Sequence, residues 1–189
     1  MASTEELLKA VTDASAEKDE QIKALQAKLP DQEDLSHITA GTYVSTKRYL
    51  SLLEQKNLSV NTILPPEEEN GKERVIVDLK TTSENGDSFT YSLTAIFNSS
   101  NDRVQFYIWN LINYDAADRG AVQEICGSLN SSWQWLKFYV DDSDNSVTAN
   151  YTLPLAEDAP MTSLMWDAVL QIDDVLGYAY DDLLPYQVK

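Results

Sequence analysis

Apolar and polar side chains alternate with a period of two through the middle of the chain. Val75, Val77 and Leu79 alternate with Asp78 and Lys80. Phe89, Tyr91, Leu93, Ala95 and Phe97 alternate with Thr90, Ser92 and Thr94. That period predicts half-buried strands, and Asn85-Gly86 between them is a hairpin turn signal. Val104 to Ile112 is apolar on both sides, with Phe106, Ile108 and Ile112 on one and Tyr107, Trp109 and Leu111 on the other. Such a strand is central in a sheet or faces a partner. Trp135 to Val140 and Val147 to Leu153 predict two more strands, joined by a turn over Asp141 to Asn145.

Helical spacing frames these strands. A helix capped by Ser45 or Thr46 is expected to run to about Asn57, with Tyr49, Leu50, Leu52 and Leu53 on its apolar side. Pro65 to Gly71 reads as a loop. Asp115 to Ser131 predicts a second helix, with Ala121, Val122, Ile125, Cys126 and Leu129 inward. Ala159 to Leu184 predicts a third, opened by Pro160 and stopped by Pro185. The order α-βββ-α-ββ-α predicts an α+β domain over residues 43–189, a five-stranded antiparallel sheet with helices gathered on it.

An extra N-terminal helix is expected before this body. Thr4 can cap it, Pro30 stops it, and a polar linker follows over residues 31–42. Leu8, Val11, Ile22, Leu25 and Leu29 form a heptad-like seam, broken by Ser15 and Lys18. Two readings stand: a helix that packs on its own body, or a short coiled coil through which the chain self-associates.

Charge narrows the partners. The 189 residues hold 31 acidic against 14 basic side chains, a net charge of −17. A body so negative repels phosphates and anionic headgroups, so neither nucleic acid nor a membrane surface is an expected partner. From Asp141 onward there are ten acidic residues and one basic, Lys189. That acidic end serves solubility or selects basic partners. Met1 to Glu20 lacks the apolar core of a signal peptide, which points to the cytoplasm.

No constellation of residues carries catalysis. His37 and Cys126 are the only histidine and cysteine, too few for a zinc site of the usual kind or a paired nucleophile. An EF-hand loop starting at Asp141 needs Gly sixth and Glu twelfth, where Ser146 and Thr152 stand. Asp173-Asp174 and Asp181-Asp182 are adjacent helical residues, which point about 100° apart and do not converge. No catalytic, metal or cofactor residue is assigned.

Aromatic residues are the stronger signal. Twelve of the 18 lie between Phe89 and Tyr151. A sheet with helices on one side needs some of them as core and leaves others to be covered by the N-terminal helix or by another chain. Tyr107, Trp109, Leu111, Trp133 and Trp135 are the candidate partner-binding residues. The expected partner is another protein or a second copy of the chain.

Local sequences add a resemblance. Arg103-Val104-Gln105-Phe106-Tyr107, the apolar helix from Ala117 to Asn130, the strand–turn–strand unit Lys137 to Val147, Tyr151-Thr152-Leu153-Pro154-Leu155 and the long last helix resemble the YbjN-like family, sometimes labelled bacterial sensory-transduction regulators. An Asp and a Tyr near the end of that helix, Asp173 or Asp174 and Tyr178 or Tyr180, belong to the pattern. The resemblance covers roughly residues 43–186. It implies the fold of type III secretion chaperones and a non-catalytic domain that binds proteins, often as a dimer. The chain departs from the family at Asp142-Ser143-Asp144-Asn145, where Gly is usual, and at Ala156-Glu157-Asp158-Ala159, where a Gly pair is common.

Overall fold

Period-two alternation resolves into one open antiparallel sheet of six strands: β1 (Val60–Leu64), β2 (Glu73–Thr82), β3 (Ser88–Phe97), β4 (Arg103–Asn113), β5 (Lys137–Asp141) and β6 (Ser146–Pro154). Their spatial order is β1-β2-β3-β4-β6-β5. The computed structural model describes residues 34–69, 71–156 and 161–188. The helix expected over residues 4–29, the first residues of the linker and the expected start of the last helix lie outside them.

Three helices complete the α+β order α-ββββ-α-ββ-α: α1 (Val44–Gln55), α2 (Arg119–Ser132) and α3 (Met161–Leu183). The sheet therefore has one strand more than the five expected. Strand β1 was hidden because its register shifts between Val60 and Thr62, which removes the period of two over five residues. Pro65-Pro66 ends it, as suits an edge strand.

Alternation sends one set of strand residues toward the helices. Val75, Ala95 and Phe106 align across β2, β3 and β4, and Phe106 faces Tyr151 on β6. Ile108, Ala149 and Phe138 make a second row across β4, β6 and β5. Helix α3 lays Met165, Ile172, Val175, Leu176 and Ala179 into the same core, and α1 adds Tyr49, Leu52 and Leu53. The Tyr49 ring lies 5.5 Å from Phe97 and 6.0 Å from Phe106.

The start of α1 departs from expectation. Ser45 and Thr46 do not cap it; both are buried inside the helix, whose N-cap is Tyr43. Capping comes from distant side chains instead. The buried Glu73 carboxylate, at the start of β2, accepts the N–H of Thr42 at 2.9 and 3.0 Å and that of Tyr43 at 3.3 Å. Asn101 Oδ1 accepts the Ser45 N–H at 3.0 Å and its hydroxyl at 2.7 Å. A carboxylate suits the positive end of a helix dipole.

Helix α3 is fixed to the β2–β3 hairpin. The Asn85 N–H donates to Asp181 Oδ2 at 3.0 Å, and the Glu84 N–H to the Gly177 carbonyl at 3.4 Å. A Cβ on Gly177 would stand 3.1 Å from the Thr82 carbonyl oxygen, so glycine permits this close approach.

Candidate functional site: the sheet face away from the helices

The alternate strand residues point to the other side of the sheet. Thr94, Tyr107, Asn150 and Lys137 align as one row across β3, β4, β6 and β5. One step along lie Trp109, Thr148 and Tyr139. Tyr107 and Trp109 stack, with centroids 5.0 Å apart and planes 9° from parallel. Trp109 is 44% exposed and Tyr139 51% exposed, although both are large aromatics.

A bulge lifts Trp109. Between the pairs Ile108/Ala149 and Ile112/Val147, β4 places three residues against the single Thr148 of β6. Asn110 absorbs the excess at φ 52°, in the left-handed region that asparagine tolerates. Thr148, between this bulge and Tyr139, is buried and its hydroxyl has no hydrogen-bond partner.

The five candidates separate. Tyr107 and Trp109 come together as expected. Leu111 does not join them: it is buried in the core, because the bulge breaks simple alternation after Ile108. Trp133 and Trp135 belong to the segment that closes α2, not to a strand, since β5 begins only at Lys137. Trp133 tilts against Tyr178 of α3 at 5.8 Å, and Trp135 meets the edge of Tyr151 at 5.2 Å. Both half-buried rings pack toward the helix side. Tyr139 and Thr148 take their place. Tyr139 was legible as the residue alternating between Phe138 and Val140, whereas nothing in the sequence distinguished Thr148.

The charged strand side chains of this face nearly balance. Arg74, Lys80 and Arg103 point away from the helices with Asp78 and Asp141, a net +1. The Lys137 ammonium turns back to the carbonyls of Asn130 and Trp133, at 3.0 and 2.9 Å. The other charged side chains of the described residues sum to −13. Asp78 accepts hydrogen bonds from Ser92 and Asn61, and these hold its carboxyl below the usual range. The described acidic residues of that end lie on α3 and at the β5–β6 turn.

Polar groups elsewhere are mostly committed to structure. Tyr91 donates to Asp173 Oδ1 at 2.9 Å and Thr81 to Oδ2 at 3.1 Å, so one member of the Asp173-Asp174 pair ties α3 to the sheet. Burial, reinforced by the Asp173 charge, pushes the Tyr91 phenol far up. Arg119 grips Asp142 through two hydrogen bonds, at 2.6 and 2.8 Å, and that partner lowers the Asp142 carboxyl. Asp141 accepts from Ser143, closing the acidic turn on itself. Burial pushes the Cys126 thiol up to about 11, which keeps it protonated at neutral pH. His37 is exposed, 3.6 Å from Glu54. Among the described residues no three His, Cys, Asp or Glu side chains gather as metal ligands, and no helix is long and apolar enough to cross a membrane. No family model, curated protein or solved structure matches this chain.

Proposed function

We propose that the chain is a non-catalytic, cytoplasmic protein-binding module that holds a protein partner, or a second copy of itself, against the sheet face away from the helices. The observation that carries this reading is the pair of exposed rings Trp109 and Tyr139, with the half-buried Tyr107 stacked on the first. Aromatic residues are enriched at protein contacts, where their area is large and their entropy cost low. The resemblance to the YbjN-like family supports the same reading. Without the edge strand β1 the element order is α-βββ-α-ββ-α, the order of the secretion-chaperone fold that the resemblance implies.

Site-specific photocrosslinking in cells tests this. A photoreactive residue at 109 or 139 should give a discrete protein adduct, whereas one at Leu170, exposed on α3, should give none. Equal adducts from all three positions, or none from 109 and 139, would overturn the reading.

A further inference from the structure

The two edges of the sheet are finished differently. Strand β1 is short, shifts register between Val60 and Thr62 and ends at Pro65-Pro66, all of which discourage the addition of another strand. Strand β5 has no such bulge or proline and lies beside α2. Phe138 turns both of its backbone groups away from β6. Its N–H donates to Asn130 Oδ1 at 2.7 Å, and its carbonyl accepts from Asn130 Nδ2 at 2.8 Å. Alternation along an antiparallel edge sends the N–H and carbonyl of Val140 outward as well, about 7 Å further along. Among the described residues no backbone or side-chain group meets them.

A cleft of about 300 Å³ opens between α2 and β5 at this point. Cys126, Gly127, Phe138 and Val140 line it, Asn130 stands at one end, and Arg119, tied to Asp142, stands at the other. Glycine weakens a helix interior. Nothing lies within 4 Å of where a Gly127 Cβ would stand, so packing does not require glycine there, and its effect is to keep the cleft wide.

These groups specify what the cleft can take. The Asn130 carboxamide carries the donor and acceptor of a peptide group and meets Phe138 as a neighbouring strand would. Val140 offers the same pair of groups and lies on the same side of the strand as Phe138. A strand added here therefore turns every second side chain toward Cys126 and Gly127. A second copy has no free strand to supply among the described residues, since α2 flanks its own β5 and β1 is blunted.

We infer that the cleft between α2 and β5 binds an extended segment of another protein as a seventh strand. The segment pairs its peptide groups with Val140, displaces the Asn130 carboxamide from Phe138, and places apolar side chains at alternate positions against Cys126 and Gly127. This surface is separate from the aromatic face of the proposed function, and either can stand without the other.

Phage-displayed random peptides of about twelve residues, selected on the full chain and counter-selected on Gly127→Leu, supply the probe. Gly127→Leu fills the cleft from an exposed helical position with a better helix former, so the variant folds. The peptides that remain should alternate apolar and polar residues. Amide hydrogen exchange should show Phe138 protected and Val140 exchanging freely in the free chain, and the bound peptide should slow Val140 by about tenfold or more. Val140→Pro removes an outward N–H and no ladder bond, and should weaken the peptide about tenfold. Asn130→Ala removes the competing carboxamide and should tighten it about threefold. Protection of Val140 in the free chain, no enriched peptide, or enriched peptides without a period of two would each overturn the inference. So would a peptide that leaves Val140 exchange unchanged, which decides the matter even if Val140→Pro fails to fold. A peptide that binds Val140→Pro as tightly as the natural chain, or one weakened by Asn130→Ala, also overturns it. None of these results touches the sheet-face reading, which rests on crosslinking at 109 and 139.

Discussion

The two faces of the sheet are made by the same strands and end in opposite conditions. Phe106 and Tyr107 are neighbours on β4. Phe106 is fully buried beneath Tyr49 and beside Tyr151, while Tyr107 stacks on an exposed Trp109. On the helix side the Tyr91 hydroxyl meets Asp173, while the Tyr49 hydroxyl has no partner. On the other side Thr148 is buried without one. The charged strand side chains of the second face nearly balance, while the acidic excess lies on helices and loops. The difference separates two tasks: one face holds the domain together, and the other is left to contact.

The sharpest way to break that comparison is to truncate the neighbours. Phe106→Ala should cost about 3–5 kcal/mol in urea unfolding, the range for deleting a fully buried phenylalanine. Tyr107→Ala should cost about 1 kcal/mol or less, since it removes only a half-buried face-to-face stack. Equal losses would mean that the second face is also structural core.

The next effect sits at the start of α1. Glu73→Ala removes the acceptor for the Thr42 and Tyr43 N–H groups and should cost about 2 kcal/mol. Glu73→Gln should recover part of this, since an amide oxygen still accepts but lacks the charge that the helix dipole favours. A loss below about 0.5 kcal/mol for Glu73→Ala would show that water replaces the carboxylate freely.

Much of the architecture was legible because one physical rule, alternation against a covered face, runs through β2, β3 and β6 and through β4 as far as Ile108. Strand β1 was not, because five residues with a register shift carry no period. The caps of α1 were misassigned for a related reason. Ser45 and Thr46 are good capping types by local chemistry, but the helix starts earlier, and Glu73 and Asn101 take the N–H groups of Tyr43 and Ser45 from 30 and 56 residues away in sequence. The contact face was half legible. Tyr107 and Trp109 followed from alternation, whereas the displacement of Leu111 depends on a bulge set by cross-strand register. Trp133 and Trp135 were drawn in by residue type alone, and their places depend on where α2 ends.

Asp173 ties α3 to β2 and β3. The sequence shows it only as one of two adjacent helical carboxylates, yet it accepts from both Tyr91 and Thr81. Asp173→Ala should therefore cost about 1–3 kcal/mol in thermal or urea unfolding, because it leaves the buried Tyr91 hydroxyl unpaired. The neighbouring Asp174→Ala, at an exposed position, should fall within about 0.5 kcal/mol of the natural chain. Comparable losses would assign the effect to the helix as a whole rather than to the hydrogen bonds.

The smallest expected effect has the opposite sign and separates two buried tyrosines of the helix side. Tyr49 is fully buried and its hydroxyl has no partner, whereas the Tyr91 hydroxyl is bonded to Asp173. Tyr49→Phe should leave stability unchanged or raise it by up to about 1 kcal/mol, while Tyr91→Phe should lower it by about 1 kcal/mol. Alkaline pH turns both into liabilities. Burial raises each phenol above its ordinary value of 10.0, and for Tyr91 the Asp173 charge adds to the shift. Folded chains therefore keep both protons where unfolded chains release them. The stabilisation is complete below about pH 10 and declines above it, by up to about 1.4 kcal/mol per pH unit for each tyrosine. Melting temperatures measured from pH 9 to pH 12 should show this fall, and each Phe substitution should flatten it in part. A fall of the same slope in the double variant would place its origin outside the helix-side core.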